Sequence, residues 1–219
     1  MQTSPPSPLL GRLAFLAACA GTVLGPLHAL ARFATSDGSG DLDSPLVRWW
    51  AVPAAHTFRS LLDWGSPDTV YLTYGKLWAP LALVATVFAV AVRRSRTPVG
   101  LERWGWGLAL AGYGLAVVST FGEYWTPWIE EAFLFVALPA VVVSLVGSTV
   151  LGIALLRRGL RPRATGWLLA TWILSFILLD SVIAMGAALL PMLWAWGVAG
   201  RAASRHPAPA VDVAPSVAA

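Results

Sequence analysis

Residues 175–186 read SFILLDSVIAMG and set a single carboxylate, Asp180, inside the apolar run 164–200, ATGWLLATWILSFILLDSVIAMGAALLPMLWAWGVAG, which holds no other charge. As one helix this run would be about 55 Å long at about 1.5 Å per residue, far beyond a hydrocarbon layer about 30 Å thick. It must either fold back or project well out of the membrane. A charge at the bilayer centre costs about 2.5 to 3.5 kcal/mol on insertion scales, so the favoured position for Asp180 is the outer tip of a hairpin.

Charge placement along the rest of the chain argues for the fold-back. Cytoplasmic loops retain arginine and lysine, so the richest basic clusters belong on one side. These are Arg93, Arg94, Arg96 and Arg103; then Arg157, Arg158, Arg161 and Arg163; then Arg201 and Arg205. Two apolar runs separate the first cluster from the second. Only 164–200 separates the second from the third, so this run must cross twice. With Arg12, eleven of the 15 basic residues then lie inside. Arg32, Arg48, Arg59 and Lys76 lie outside with nine of the 11 acids, leaving Glu102 and Asp212 within.

The composition fits such a protein. Of 219 residues, 57% are hydrophobic and 12% charged, with a mean hydropathy of +0.69, against about 45 to 50% and about 25% in soluble domains. Basic clusters between apolar runs follow from membrane topology, so the pI near 9.8 does not imply nucleic acid as a partner. The lone cysteine, Cys19, excludes an intramolecular disulfide framework. LAAC, residues 16–19, matches a lipoprotein box and HALA, 28–31, a signal-peptidase site. The apolar run starts only six residues before Cys19 and continues past it, so an uncleaved first span is expected.

The expected spans are Leu9 to Ala31, Lys76 to Val92, Trp104 to Phe121, Ala132 to Leu156, and the two arms of 164–200. The fold class is therefore an all-α polytopic transmembrane helix bundle of six spans, residues 9–205, in the cytoplasmic (inner) membrane with both termini cytoplasmic. Ser44-Pro45, Ser66-Pro67, Thr97-Pro98 and Thr126-Pro127 each read as an N-cap followed by a first-turn proline. Pro139 is expected to kink the fourth span. The tails, 1–8 and 206–219, are rich in Pro, Ala and Ser and read as disordered.

Between spans 1 and 2 lies the one sizeable loop, 33–75. Its stretch PLVRWWAVPAAHTFRSLLDW interleaves Trp49, Trp50, Phe58 and Trp64 with Arg48, His56, Arg59 and Asp63. That spacing suits short amphipathic helices lying in the outer interface as a cap, divided at Pro53.

No nucleophile elbow, paired metal-spaced histidines or phosphate-cradling glycine loop is present, and no cofactor or metal is expected. The candidate ligand or ion path is the outer face, where His28, His56, Lys76, Glu123, Glu130 and Asp180 fall near one membrane surface. Gathered carboxylates and imidazoles there would relay protons or grip a cation. Against this, acids are simply tolerated outside, and Glu130 suits a helix N-terminus. Gly21 with Gly25, and Ser148 with Gly152, are spaced to let helices approach closely, within the chain or in a homo-oligomer.

The block STVLGIALLRRGLRPRATGWLLA, followed by LLPMLWAWGVAGR, resembles the closing helices of uncharacterised polytopic membrane proteins of GC-rich bacteria, over roughly the last 80 residues. The resemblance implies a six-helix membrane protein and no activity. The expected role is a non-enzymatic membrane component that binds a partner membrane protein or lipid through the Trp-rich cap. The alternatives are a small proton-coupled carrier using the outer-face carboxylates, and an extracytoplasmic enzyme acting on a lipid-linked substrate.

Overall fold

The segment that decides the fold does reverse direction, as seen in a computed structural model that describes residues 6–183 and 187–205. Every regular element among them is helical. Helix α1 is Pro8–Phe33. A 3-10 turn at Ser39–Asp43, α2 (Pro45–Thr57) and α3 (Arg59–Leu62) follow it. Next come α4 (Pro67–Lys76), α5 (Trp78–Arg94), α6 (Leu101–Trp125) and α7 (Ile129–Ala132). A π-helical turn, Phe133–Ala137, runs into α8 (Leu138–Arg157), and then α9 (Arg163–Ala170), α10 (Trp172–Ile183) and α11 (Leu190–Arg205) close the chain.

Four stretches are long and apolar enough to cross a membrane: Pro8–Phe33, Pro67–Arg94, Leu101–Trp125 and Ile129–Arg157. The pair α9 and α10 makes a fifth if counted together. Each extends a few residues beyond its expected run, because polar and aromatic flanks continue the helix past the apolar core. The chain is thus consistent with a multi-pass membrane protein. A belt of exposed Leu16, Val23, Leu83, Val87, Leu115, Val142 and Ile177 supplies the apolar outer surface that lipid contact requires.

The run 164–200 departs from a simple hairpin. A 64° bend separates α9 from α10. The Thr171 hydroxyl donates to the Trp167 carbonyl oxygen at 2.8 Å, a back-bond that bends helices. Asp180 is not at the apex. It lies exposed in the last turn of α10, and the chain reverses between Ile183 and Leu190, with 184–186 outside the described residues. Helix α11 spans 16 described residues, short of a full crossing by length alone.

Three punctuation signals act differently from expectation. Helix α2 runs through Pro53, which lies on its exposed face, and ends at Phe58. Gly100, with φ at 54°, enters α6 in place of Thr97-Pro98, since glycine alone adopts positive φ freely. Thr126 closes α6 by donating to the Gly122 carbonyl oxygen at 2.6 Å, and its oxygen accepts from the Trp128 N–H at 3.2 Å, so α7 starts two residues later. Ser66 behaves as expected and accepts from the Thr69 N–H. The kink expected at Pro139 is a widened π turn just before it, a common way to absorb a missing N–H donor. The expected disordered tails lie outside the described residues, apart from residues 6–8, where Pro8 already begins α1.

Close approach at small residues sets the packing. A Cβ on Gly112 would sit within 2.5 to 2.6 Å of Ser144 backbone atoms, and one on Gly105 would meet Leu151 at 2.8 Å, so α6 and α8 run antiparallel in near-backbone contact. Gly11 faces Gly200 and Gly21 faces Leu193, which sets α11 antiparallel to α1. Gly152 faces Gly166 and Ala170 of α9. Thr165 then donates to the Ala195 carbonyl oxygen at 3.0 Å, and Trp172 to that of Ala188 at 3.2 Å, fixing α11 antiparallel to α9 and α10. All three arginine clusters consequently share one end of the bundle, the arginine end. The cap closes the other.

Toward the arginine end lie the fully buried Phe88, Trp106, Tyr113, Leu151, Leu155 and Trp196, with an open space of about 880 Å³ lined by Phe88, Val92, Arg163 and Trp196. Glu102, 1% exposed, is held there by Arg96 at 2.8 Å, Arg158 at 2.7 Å and the Trp106 N–H at 3.2 Å. At the cap end Val47 and Ala51 pack on Ala29, Leu30 and Phe33, and Trp50 turns inward. Trp49, Phe58 and Trp64 remain exposed.

Candidate functional site

The cap end of the bundle is not filled. A cavity of about 360 Å³ opens among α1, α4, α6, α8 and α10, the size of a small-ligand site. Its upper wall is aromatic. The His28 imidazole stacks on Tyr71 with centroids 4.8 Å apart, and Tyr124 meets both rings edge-on at 5.4 and 5.7 Å. The Tyr71 and Tyr124 hydroxyls are 3.3 Å apart. Tyr124 reaches this position because Gly75 has no side chain: a Cβ there would overlap its ring.

His28 is 2% exposed and accepts the Trp78 indole N–H on Nδ1 at 3.2 Å. Its other nitrogen, Nε2, is buried without a partner among the described residues. Ser144, 3% exposed and toward the other end of the cavity, likewise has an unpartnered Oγ. Buried polar atoms are nearly always hydrogen-bonded; two of the exceptions among the described residues belong to residues that line this cavity, with Ser144 Oγ set against Gly112 of α6.

Charge gathers at the mouth. Arg32, Asp37, Glu123 and Glu130 line it, and Arg32 Nε pairs with Asp41 at 3.1 Å. The remaining wall is apolar: Phe133, Val141, Leu145, Phe176 and Leu189. From Glu130 to Leu145 the wall follows the α7–α8 segment for roughly 20 Å at about 1.5 Å per residue. Such a cavity suits a molecule with a polar head and an apolar body. The π turn Phe133–Ala137 forms part of the wall, and π turns recur at functional sites because they re-aim side chains.

Of the residues expected from sequence, His28, Glu123 and Glu130 converge on this cavity. Three others do not line it. His56 is exposed in the last turn of α2, Asp180 is exposed on α10, and Lys76 sits over the Trp125 ring at 5.6 Å. The cap aromatics Trp49, Phe58 and Trp64 lie apart on the surface. Outside the spans, Asp63 accepts a hydrogen bond from Arg59 at 2.6 Å and raises the guanidinium pKa further. Sequence reasoning missed Arg32, Tyr124 and Ser144 as site residues. A polar Ser144 within an otherwise apolar span was the available signal. Among the described residues no cluster of three or more His, Cys, Asp and Glu side chains could hold a metal ion.

No family model matches this chain, and no curated protein or solved structure is detectably similar to it.

Proposed function

We propose that the protein is a non-enzymatic component of the cytoplasmic membrane that binds an amphiphilic lipid in the cap-end cavity. In this reading the chain crosses six times, with α9 and α10 as the fifth crossing and α11 as the sixth. Both termini and the arginine end face the cytoplasm, and Trp49, Phe58 and Trp64 rest at headgroup depth in the outer leaflet. The observation that carries the lipid reading is one cavity with a charged mouth, at Arg32, Glu123 and Glu130, and an apolar body along Phe133, Val141 and Phe176. The exposed cap aromatics support a second contact, with a partner membrane protein or another copy of the chain.

A proton-coupled carrier is the second reading, favoured by His28, Glu123 and Glu130 around one cavity. Weighing against it, the space of about 880 Å³ at the arginine end, lined by Phe88, Val92, Arg163 and Trp196, shares no lining residue with this cavity, and fully buried Trp106 and Tyr113 pack the interior, so binding is the simpler use. The enzymatic reading required His56 to join the carboxylates, and His56 is not in the cavity wall.

The test is purification in mild detergent followed by native mass spectrometry. Stoichiometric lipid is expected on the parent protein and none on Val141→Trp, which fills the apolar slot. Equal bound lipid on the two would overturn the reading.

A further inference from the structure

The tautomer of His28 specifies part of the guest. The indole N–H of Trp78 only donates, so Nδ1 of His28 accepts and the proton of the neutral ring sits on Nε2. That Nε2–H is buried, has no acceptor among the described residues, and belongs to a residue that lines the cavity. A guest oxygen that reached it would complete its bonding. Arg32 lines the same end, beside Tyr71 and with Nε on Asp41, and its planar guanidinium suits an anionic oxygen.

The opposite requirement lies across the mouth. Asp37, Glu123 and Glu130 line the cavity, and none of them joins a salt bridge among the described residues. Glu123 is half-buried while Asp37 and Glu130 are exposed at the rim, and carboxylates beside a low-dielectric space favour a cation, to which the faces of Tyr71, Tyr124 and Trp78 add attraction. An anionic headgroup without an ammonium would leave these acids unpaired. A quaternary ammonium would neutralise them but donate no hydrogen bond, whereas a primary ammonium offers three donors.

Resting on the reading of the cavity as a lipid site, we propose that its mouth selects a zwitterionic phospholipid bearing a primary amine. The phosphate sits between Arg32 and His28, the ammonium lies toward Glu123 and Glu130, and an acyl chain fills the slot along Phe133, Val141 and Phe176.

The experiment uses the full chain, delipidated in mild detergent and titrated with phosphatidylethanolamine, phosphatidylcholine and phosphatidylglycerol of matched acyl chains, read by native mass spectrometry. Phosphatidylethanolamine is expected to bind about tenfold more tightly than either of the others. Glu123→Gln combined with Glu130→Gln is expected to erase that preference, with phosphatidylglycerol then binding as tightly as phosphatidylethanolamine. Arg32→Gln is expected to weaken all three lipids. Equal affinity for the three headgroups, with binding still lost in Val141→Trp, overturns the headgroup inference and leaves the cavity reading standing. Binding that survives Val141→Trp overturns both. Should the double glutamine variant fail to fold, the headgroup order of the parent protein decides the matter alone.

Discussion

The Trp50 indole N–H donates to the Val182 carbonyl oxygen at 2.9 Å and so joins the cap to the last turn of α10. This bond matters because α10 is sparsely anchored: Ile173, Leu174, Ile177 and Leu178 are all exposed, while Phe176 lines the cavity. The cap therefore steadies one wall of the site from above. Trp50→Phe keeps most of the apolar contact and removes one hydrogen bond, worth about 1 kcal/mol. Deuterium uptake of residues 172–183 is expected to accelerate severalfold, with α6 and α8 unchanged. Unaltered uptake over 172–183 would show that the bond does not hold the wall.

Helix α6 carries two glycines two positions apart with opposite surroundings. A Cβ on Gly112 would collide with the Ser144 backbone, which cannot move aside as a flexible side chain would, whereas one on Gly114 would meet nothing within 4 Å. Gly112→Ala is expected to lower stability by about 1 to 3 kcal/mol through forced separation of α6 and α8. Gly114→Ala is expected to be neutral or mildly stabilising. Melting curves in a single detergent check both. An equal effect at the two positions would mean the helices are not in the close contact described.

The long helices were legible because the hydrocarbon layer demands an apolar run of fixed length, and runs such as Trp104 to Phe121 and Ala132 to Leu156 stand between charged or proline-marked borders. The gathering of arginines at one end was legible for the same reason. The site was legible only in part. His28 and Glu123 could be picked out as polar groups near a helix end, but the partners that give them meaning come from distant helices. Trp78 is 50 positions from His28, and Tyr71 is 53 from Tyr124. No local period encodes which helix faces meet. Asp180 lies a few residues before the reversal expected near it, but the 64° bend between α9 and α10 was not legible, because hydropathy does not register a hydroxyl bond such as that from Thr171 to the Trp167 carbonyl.

Glu102 is the only acid of the described residues at the arginine end, and it pairs with two guanidiniums while accepting the Trp106 N–H. Removing one partner of a buried pair costs about 3 to 5 kcal/mol because the remaining charges stay desolvated. Arg158 is 41% exposed, so water recovers part of that loss. Glu102→Ala is expected to cost about 3 kcal/mol, and Glu102→Gln less, since the amide oxygen still accepts one hydrogen bond. Tryptophan fluorescence during thermal unfolding follows the change directly, because the Trp106 ring stacks on Trp196 at 5.4 Å beside the pair. A Glu102→Ala protein as stable as the parent would mean the cluster is solvated and carries no structural role.

The six-crossing arrangement makes the sharpest prediction because it assigns a side to every loop. Cys19 is the only cysteine and lies in α1, so Cys19→Ala gives a background without thiols. On that background Ser66→Cys, Asp180→Cys and Ser204→Cys test the start of α4, the end of α10 and the end of α11. A membrane-impermeant maleimide applied to intact cells is expected to label positions 66 and 180 and to reach 204 only after the membrane is opened. The reason is energetic: Arg201 and Arg205 flank position 204 and resist transfer across the bilayer, at about 2.5 to 3.5 kcal/mol each if left at its centre. Labelling of 204 together with 66, or of 180 only in opened cells, would remove one crossing from the 164–200 run. Labelling of 66 only in opened cells would instead turn the cavity mouth, with Arg32 and Glu123, toward the cytoplasm.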